Sequence, residues 1–322
     1  MTALVWVGFL AIYILLLTID LAVLHREASA LSVRQALFWT LVWIVVGVLA
    51  GALIYGLYEH DWLNWSAGFG SPNLGGRDAF LQYATGYLLE WSLSVDNIFV
   101  IALIFSYMKI PVTLQYRVLF WGIVGAIALR GVMIAMGTAL IHSFDWMFYV
   151  FGAILLLSAA RMLRSEEQDY DPSKSLLVRV VRRVFAFSER LDGERFFSRI
   201  DGRLTATPLF VTLLLVDFAD TVFAVDSIPA IFAVTQDPFL VFTSNAFAIL
   251  GLRSLYFAVA ALIAMFRYLK LSLVFILGFV GVKMLLTQHV HIPNLYSLAV
   301  IAGMLCIGIV ASVWTSRRGI RR

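Results

Sequence analysis

Apolar residues run for roughly twenty positions at a time along this chain, and short connectors rich in proline, glycine and charge interrupt them. A bilayer core needs about 20 apolar residues per helix. On that measure the pattern predicts nine transmembrane helices, at approximately 3-24, 35-58, 79-107, 114-139, 144-163, 206-234, 239-265, 271-288 and 293-315. The connectors are Ser71-Pro72-Asn73-Leu74-Gly75-Gly76, Lys109-Ile110-Pro111, Asp237-Pro238 and His291-Ile292-Pro293. No segment between spans is long enough for a soluble domain.

Composition agrees. Of 322 residues, 61% are apolar and 14% charged, against roughly 45–50% and about 25% in a soluble domain. A mean hydropathy of +0.91 spread over the whole length describes a polytopic helical membrane protein, not a domain with one anchor. The apolar run Ala3 to Leu24, followed by Ala28-Ser29-Ala30, has the outline of a signal peptide. It is read instead as the first span, because it lacks a basic n-region, exceeds the ~7–15 residues of a signal core and contains Asp20. Trp62 and Trp65 on one side and Trp314 on the other suit interfacial belts.

Charge then sets sidedness, since cytoplasmic connectors carry the excess of Lys and Arg. Arg26, Arg34, Lys109, Arg117, Arg267, Lys270 and the tail Arg317, Arg318, Arg321 and Arg322 all fall on one side of a nine-span alternation. Glu59, Asp61, Arg77, Asp78, His142, Asp145, Asp237, His289 and His291 fall on the other. The expected orientation is N-terminus outside, C-terminus cytoplasmic. The Arg-rich segment 164-205 is placed inside, with an interfacial helix expected over 175-185.

An internal repeat is visible. Glu90-Trp-Ser-Leu-Ser-Val-Asp96-Asn97-Ile98 and Asp220-Thr-Val-Phe-Ala-Val-Asp226-Ser227-Ile228 share an acid, five residues, then Val-Asp, a small polar residue and Ile. Arg130 matches Arg253, and Arg161 matches Lys283. Three helices per unit force opposite topologies, an arrangement common among secondary transporters.

Charges within spans are costly, about 2.5–3.5 kcal/mol each even on lenient scales, and mark function or interhelical pairing. Glu90, Asp96, Asp220 and Asp226 are expected near one depth. Six residues turn a regular helix by ~600°, so the acids of each pair diverge by roughly 120°. Either one acid per pair binds an ion or the helix unwinds, and Pro229 makes span 6 the candidate for a break. Carboxylate, amide and hydroxyl oxygens suit hard divalent cations. The candidate ligands are therefore Glu90, Asp96, Asn97, Asp220, Asp226 and Ser227, balanced by Arg130 and Arg253, with Asp20 and Asp217 as secondary candidates at an interface or vestibule. Neutralising four acids with two arginines and one divalent ion suggests exchange of that ion for protons.

Other classes recede. A net charge of +4 without a basic face gives no nucleic-acid surface. Cys306 is the sole cysteine, so a disulfide framework, a CxxC redox pair and a thiolate-rich metal site are excluded. No phosphate-binding G-x-x-x-x-G-K-[ST] loop is present for ATP. No enzyme constellation or prosthetic group is expected. The external pair His289 and His291 is read as ordinary loop histidine, and nothing points to an oligomeric state.

The two acid blocks, continued by Ile228-Pro229-Ala230-Ile-Phe-Ala-Val-Thr235, resemble the TerC integral membrane family, in particular its Alx-like branch. So do Phe239 to Arg253, Phe144-Asp145-Trp146 and Phe196-Phe197. The resemblance implies a bacterial inner-membrane exporter of Mn²⁺, with Glu90, Asp96, Asp220 and Asp226 as the family's acids. Older labels of tellurium resistance or redox modulation fit less well, the latter because of the lone cysteine. A scaffold or stress-response module, or transport of Ca²⁺ or another ion, are the alternative functions. The expected organisation is 1-78, two helices and an outer loop; 79-163, repeat 1; 164-205, basic linker; 206-288, repeat 2; and 289-322, last helix and tail.

Overall fold

The computed structural model describes residues 2–25, 33–61, 68–69, 71–72, 74–144, 146–164, 191–200, 203–260, 268–287, 289–290 and 292–319. Among them are ten helices: α1 (Thr2–His25), α2 (Val33–Glu59), α3 (Gly76–Tyr107), α4 (Val112–Ser143), α5 (Met147–Arg164), α6 (Pro208–Phe232), α7 (Pro238–Leu250), α8 (Leu252–Ala260), α9 (Leu269–Leu286) and α10 (Asn294–Gly319). Seven of them, α2 to α6, α9 and α10, are each long and apolar enough to cross a bilayer. The pair α7 and α8 forms an eighth span, bent by 44°. The ninth expected span is α1, 24 residues long or ~36 Å, whose apolar stretch Val5–Asp20 is shorter than the others.

The outside of this bundle is apolar and its inside holds the charges. Leu15, Leu53, Leu157 and Ile307 are exposed, whereas Asp20, Glu90, Arg130 and Arg253 are buried. That distribution suits lipid as solvent, because every intramembrane polar group must find its partner within the protein. The chain is a multi-pass helical membrane protein.

Local chemistry sets the helix ends. Lys109 has φ +51°, the left-handed residue that closes α3, and the Ile110 N–H donates to the Phe105 carbonyl at 3.0 Å. Pro111 then caps α4, so α3 and α4 form an antiparallel hairpin. At the start of α7 the Asp237 carboxylate accepts from the Phe239 and Leu240 N–H groups.

One short sheet departs from an all-α expectation: β1 (Phe197–Ile200) pairs antiparallel with β2 (Arg203–Ala206), Phe197 opposite Ala206. It ends the basic linker and is tied to α4, where Arg117 bonds Glu194 at 2.9 Å and lies 5.3 Å from the Phe196 ring centroid. Residues 165–190, including the predicted interfacial helix 175-185, lie outside the described residues, as do Arg26, Ala28 to Ala30, Trp62, Trp65, Asn73, Asp145, Arg267, His291, Arg321 and Arg322.

Two helix features differ from the sequence-based expectation. α6 runs unbroken from Pro208 to Phe232, with Pro229 inside its last turn, where it forgoes the bond to the carbonyl four residues back and sets its ring against it with only three residues of helix still to follow. α3 is also continuous through both its acids. The interruption lies instead at Gly251, between α7 and α8, against Trp43: a Cβ there would stand 3.0 Å from the Trp43 Cβ.

Candidate functional site

α3 and α6 run antiparallel and α4 and α6 parallel. A Cβ on Gly86 would meet Ile231 at 3.3 Å, one on Gly122 would meet Val216 at 3.3 Å, and Gly137 faces Phe232. In this register Glu90 on α3 lies level with Asp226 and Ser227 on α6, and Asp96 and Asn97 lie level with Asp220. Six residues of helix separate the levels, ~9 Å.

Arg130 on α4 joins them. It donates from Nε and Nη2 to the two carboxylate oxygens of Asp220, at 3.0 and 2.7 Å. Its Nη1 donates to Glu90 Oε1, with Ser227 Oγ at 3.5 Å and Asn245 Oδ1 at 3.2 Å. The Asn245 side-chain amide on α7 donates to the other Glu90 oxygen at 3.0 Å. Glu90 is 0%, Arg130 2% and Asp220 7% exposed. A forked guanidinium between two buried carboxylates is the geometry only arginine supplies, and it carries one positive charge against two acids.

Beyond this cluster, polar oxygens continue along the same faces. Glu90, Ser94 and Asn97 follow i, i+4, i+7 on α3, and Asp217, Asp220 and Ser227 follow i, i+3, i+10 on α6, each one helix face. Among the described residues, Ser94 Oγ, Asn97 Oδ1 and Asp217 Oδ1 are buried without a hydrogen-bond partner. Asp217 rests where α4 has no side chain, since a Cβ on Gly125 would stand 2.8 Å from Asp217 Oδ2.

Asp226 is turned away from Arg130, as the 120° divergence requires. It is half-buried and accepts from Ser158 on α5 at 2.5 Å. Asp96 is half-buried on α3. Among the described residues, no three His, Cys, Asp or Glu side chains close on a common point. The four acids therefore do not converge: Glu90 and Asp220 share Arg130, while Asp96 and Asp226 stand on other faces.

Arg253 has a different partner from the one the repeat suggests. It sits 2.6 Å from Asp20 Oδ2 and donates to the Asp20 carbonyl at 2.6 Å. Both residues are buried, so Asp20 belongs to an interior ion pair at the α7–α8 bend and not to an interface. Sequence reasoning passed over Asn245, Ser94 and Ser158. The run Thr243-Ser244-Asn245 in an apolar helix was the available signal for the first.

The model of the integral membrane protein TerC family matches residues 75–319. A membrane protein of Myxococcus xanthus is 46% identical over 97% of this chain and 92% of its own length. Proteins of Salmonella typhi and Escherichia coli K12, each named as a proposed membrane-bound redox modulator, Alx, are 42% identical over 98% of this chain and 96% of theirs. No solved structure matches. With a fold of this kind and this coverage, the chain belongs to the TerC family of integral membrane proteins.

Proposed function

We propose that this protein is a secondary transporter of the bacterial inner membrane that exports Mn²⁺ from the cytoplasm in exchange for protons. The observation that carries the reading is the buried cluster in which one guanidinium serves two carboxylates, Glu90 and Asp220, beside unpaired oxygens of Ser94, Asn97 and Asp217. A hard cation competes for the same oxygens as Arg130. Binding therefore displaces the guanidinium, and protonation of the acids is the alternative way to relieve the site when the cation leaves. Asp96, Asp226 and Ser227 extend the acidic path to either side, with Arg130 restoring balance. The N-terminus is outside and the tail cytoplasmic, in keeping with the basic residues of the connectors.

The test is uptake into liposomes holding the purified protein, with Mn²⁺ offered against Ca²⁺ and Mg²⁺ while lumenal pH is recorded. Mn²⁺ flux with opposed proton movement, lost in Glu90→Gln and Asp226→Asn, is expected. Absence of flux from folded, inserted protein would refute the reading. One observation favours a scaffold instead: the buried Arg130 and Arg253 are already ion-paired. A scaffold predicts that exchanging Glu90 and Arg130 preserves function, whereas a transporter loses it.

A further inference from the structure

Lys283, the residue that pairs with Arg161 in the repeat, takes no part in the cluster around Arg130. It lies in the last turn of α9 and is 6% exposed. It lines a cavity of about 350 Å³ between the ends of α3, α6, α9 and α10, with Gln82, Thr235, Gln236, Thr287 and Asn294. This is the outer side in the orientation proposed above. An ammonium has three N–H donors, and one is engaged with Asn294 Oδ1, at 3.4 Å. Among the described ion pairs none includes Lys283.

The polar part of the lining, set beside the apolar Leu74, Phe232 and Val290, also favours donation. Thr235 accepts from the Asp237 N–H at 3.2 Å, leaving its hydroxyl hydrogen to donate. Asn294 accepts from Lys283, which leaves its amide NH₂ available, and Gln82 and Gln236 add two more amides. The carboxylate in the wall, Asp237, is engaged already. Its oxygens accept from the Tyr58 hydroxyl at 2.8 Å and from the Phe239 and Leu240 N–H groups at 2.9 and 3.2 Å. A buried cation beside amide and hydroxyl donors, with the oxygens of the nearby carboxylate taken up by its own cap and by Tyr58, attracts an acceptor with several oxygens. The volume admits a small molecule.

We infer that this cavity is a binding site for a small oxyanion of the phosphate or carboxylate type, anchored by Lys283. The phosphate group is common to free phosphate and to lipid headgroups, and the experiment separates the two. It uses the full chain in dodecylmaltoside micelles, so that both faces are accessible. Cys306→Ser removes the native thiol, and Thr287→Cys places a reporter at the exposed edge of the cavity. An anionic methanethiosulfonate should modify the reporter about tenfold or more faster than a cationic one, and adding Lys283→Gln should bring the ratio near unity. Inorganic phosphate, or phosphatidylglycerol added to the micelles, should slow labelling against chloride at equal ionic strength. Protection by phosphate assigns a free oxyanion, and protection by phosphatidylglycerol alone assigns a headgroup.

A ratio indifferent to Lys283→Gln, or protection by neither compound, would overturn the inference. Should Lys283→Gln fail to fold, wild type and Lys283→Arg decide. Phosphate or phosphatidylglycerol must raise both unfolding midpoints relative to matched chloride, as a ligand selective for the native state does, and no rise would again overturn the site. None of these readouts depends on Mn²⁺ flux.

Discussion

Gly152 on α5 and Gly281 on α9 press against each other's backbone: a Cβ on either would stand 3.1 or 3.2 Å from the carbonyl oxygen of the other. The contact is reciprocal in its neighbours as well. Leu285, four residues after Gly281, packs over Gly152, and Leu156, four after Gly152, packs over Gly281. Two antiparallel helices thus cross through the same Gly-x-x-x-Leu unit. Small residues at such crossings let backbones approach, which is the main source of helix association in lipid.

Enlarging either glycine should therefore push α5 and α9 apart. Gly152→Leu is expected to destabilise the protein by about 1–3 kcal/mol, the usual cost of overpacking. Gly278→Ala on the same α9 meets nothing within 4 Å and should be neutral or slightly stabilising. Unfolding midpoints of the two variants in micelles measure the contrast, and equal midpoints would contradict the contact.

The fork from Arg130 to Glu90 and Asp220 separates stability from transport. Arg130→Met leaves two buried acids without a counter-charge and should cost about 3–5 kcal/mol. Adding Glu90→Gln and Asp220→Asn removes those acids, so the triple variant should recover most of the loss while carrying no Mn²⁺. Thermal unfolding beside liposome flux distinguishes the outcomes. Recovery of flux in the triple variant would place transport elsewhere in the chain.

What could be read from the sequence follows from how residues report on the membrane. Acids and arginines inside apolar runs announce themselves by cost, so Glu90, Asp220, Arg130 and Arg253 were identifiable as interior groups. Their partners were not. Asp20 and Arg253 are 233 positions apart, and the repeat steered Arg253 towards the acids of spans 3 and 6. Depth along a helix, and the divergence that separates Asp226 from Asp220, follow from the rise and turn per residue, but which neighbouring helix each face meets does not. Proline signalled a break at 229 that α6 does not make: the lost bond falls in its last turn, so almost no helix follows for it to interrupt. The actual bend, at Gly251, carries no proline. The small hairpin at 197–206 lies in a linker read only by its basic charge, apart from the interfacial helix expected over 175-185, which falls outside the described residues.

Asp20 and Arg253 tie α1 to the bend between α7 and α8, so they should behave as a unit. Asp20→Asn and Arg253→Gln are each expected to lower stability, and the double variant to lose less than the sum. A coupling of about 0.5–3 kcal/mol is usual for contacting partners. A double-mutant cycle on unfolding in micelles measures it. Strict additivity would mean that the pair does not hold α1 in place.

Asp217 offers the sharpest test of the path towards the cluster. Its carboxylate occupies the space left by Gly125, where a methyl group would lie 2.8 Å from Oδ2 and 3.0 Å from Cγ. Gly125→Ala must push the carboxylate away while raising helix propensity by about 1 kcal/mol, so the fold should survive a change aimed only at the acid. If cations pass Asp217 before meeting Asp220 one turn further along α6, Gly125→Ala should lower Mn²⁺ flux in liposomes, and Asp217→Asn should lower it further. The double variant should match Asp217→Asn alone, because the methyl group then has no charge to displace. Full flux in Asp217→Asn would remove this acid from the path and leave Gly125 as a packing residue of the α4–α6 contact.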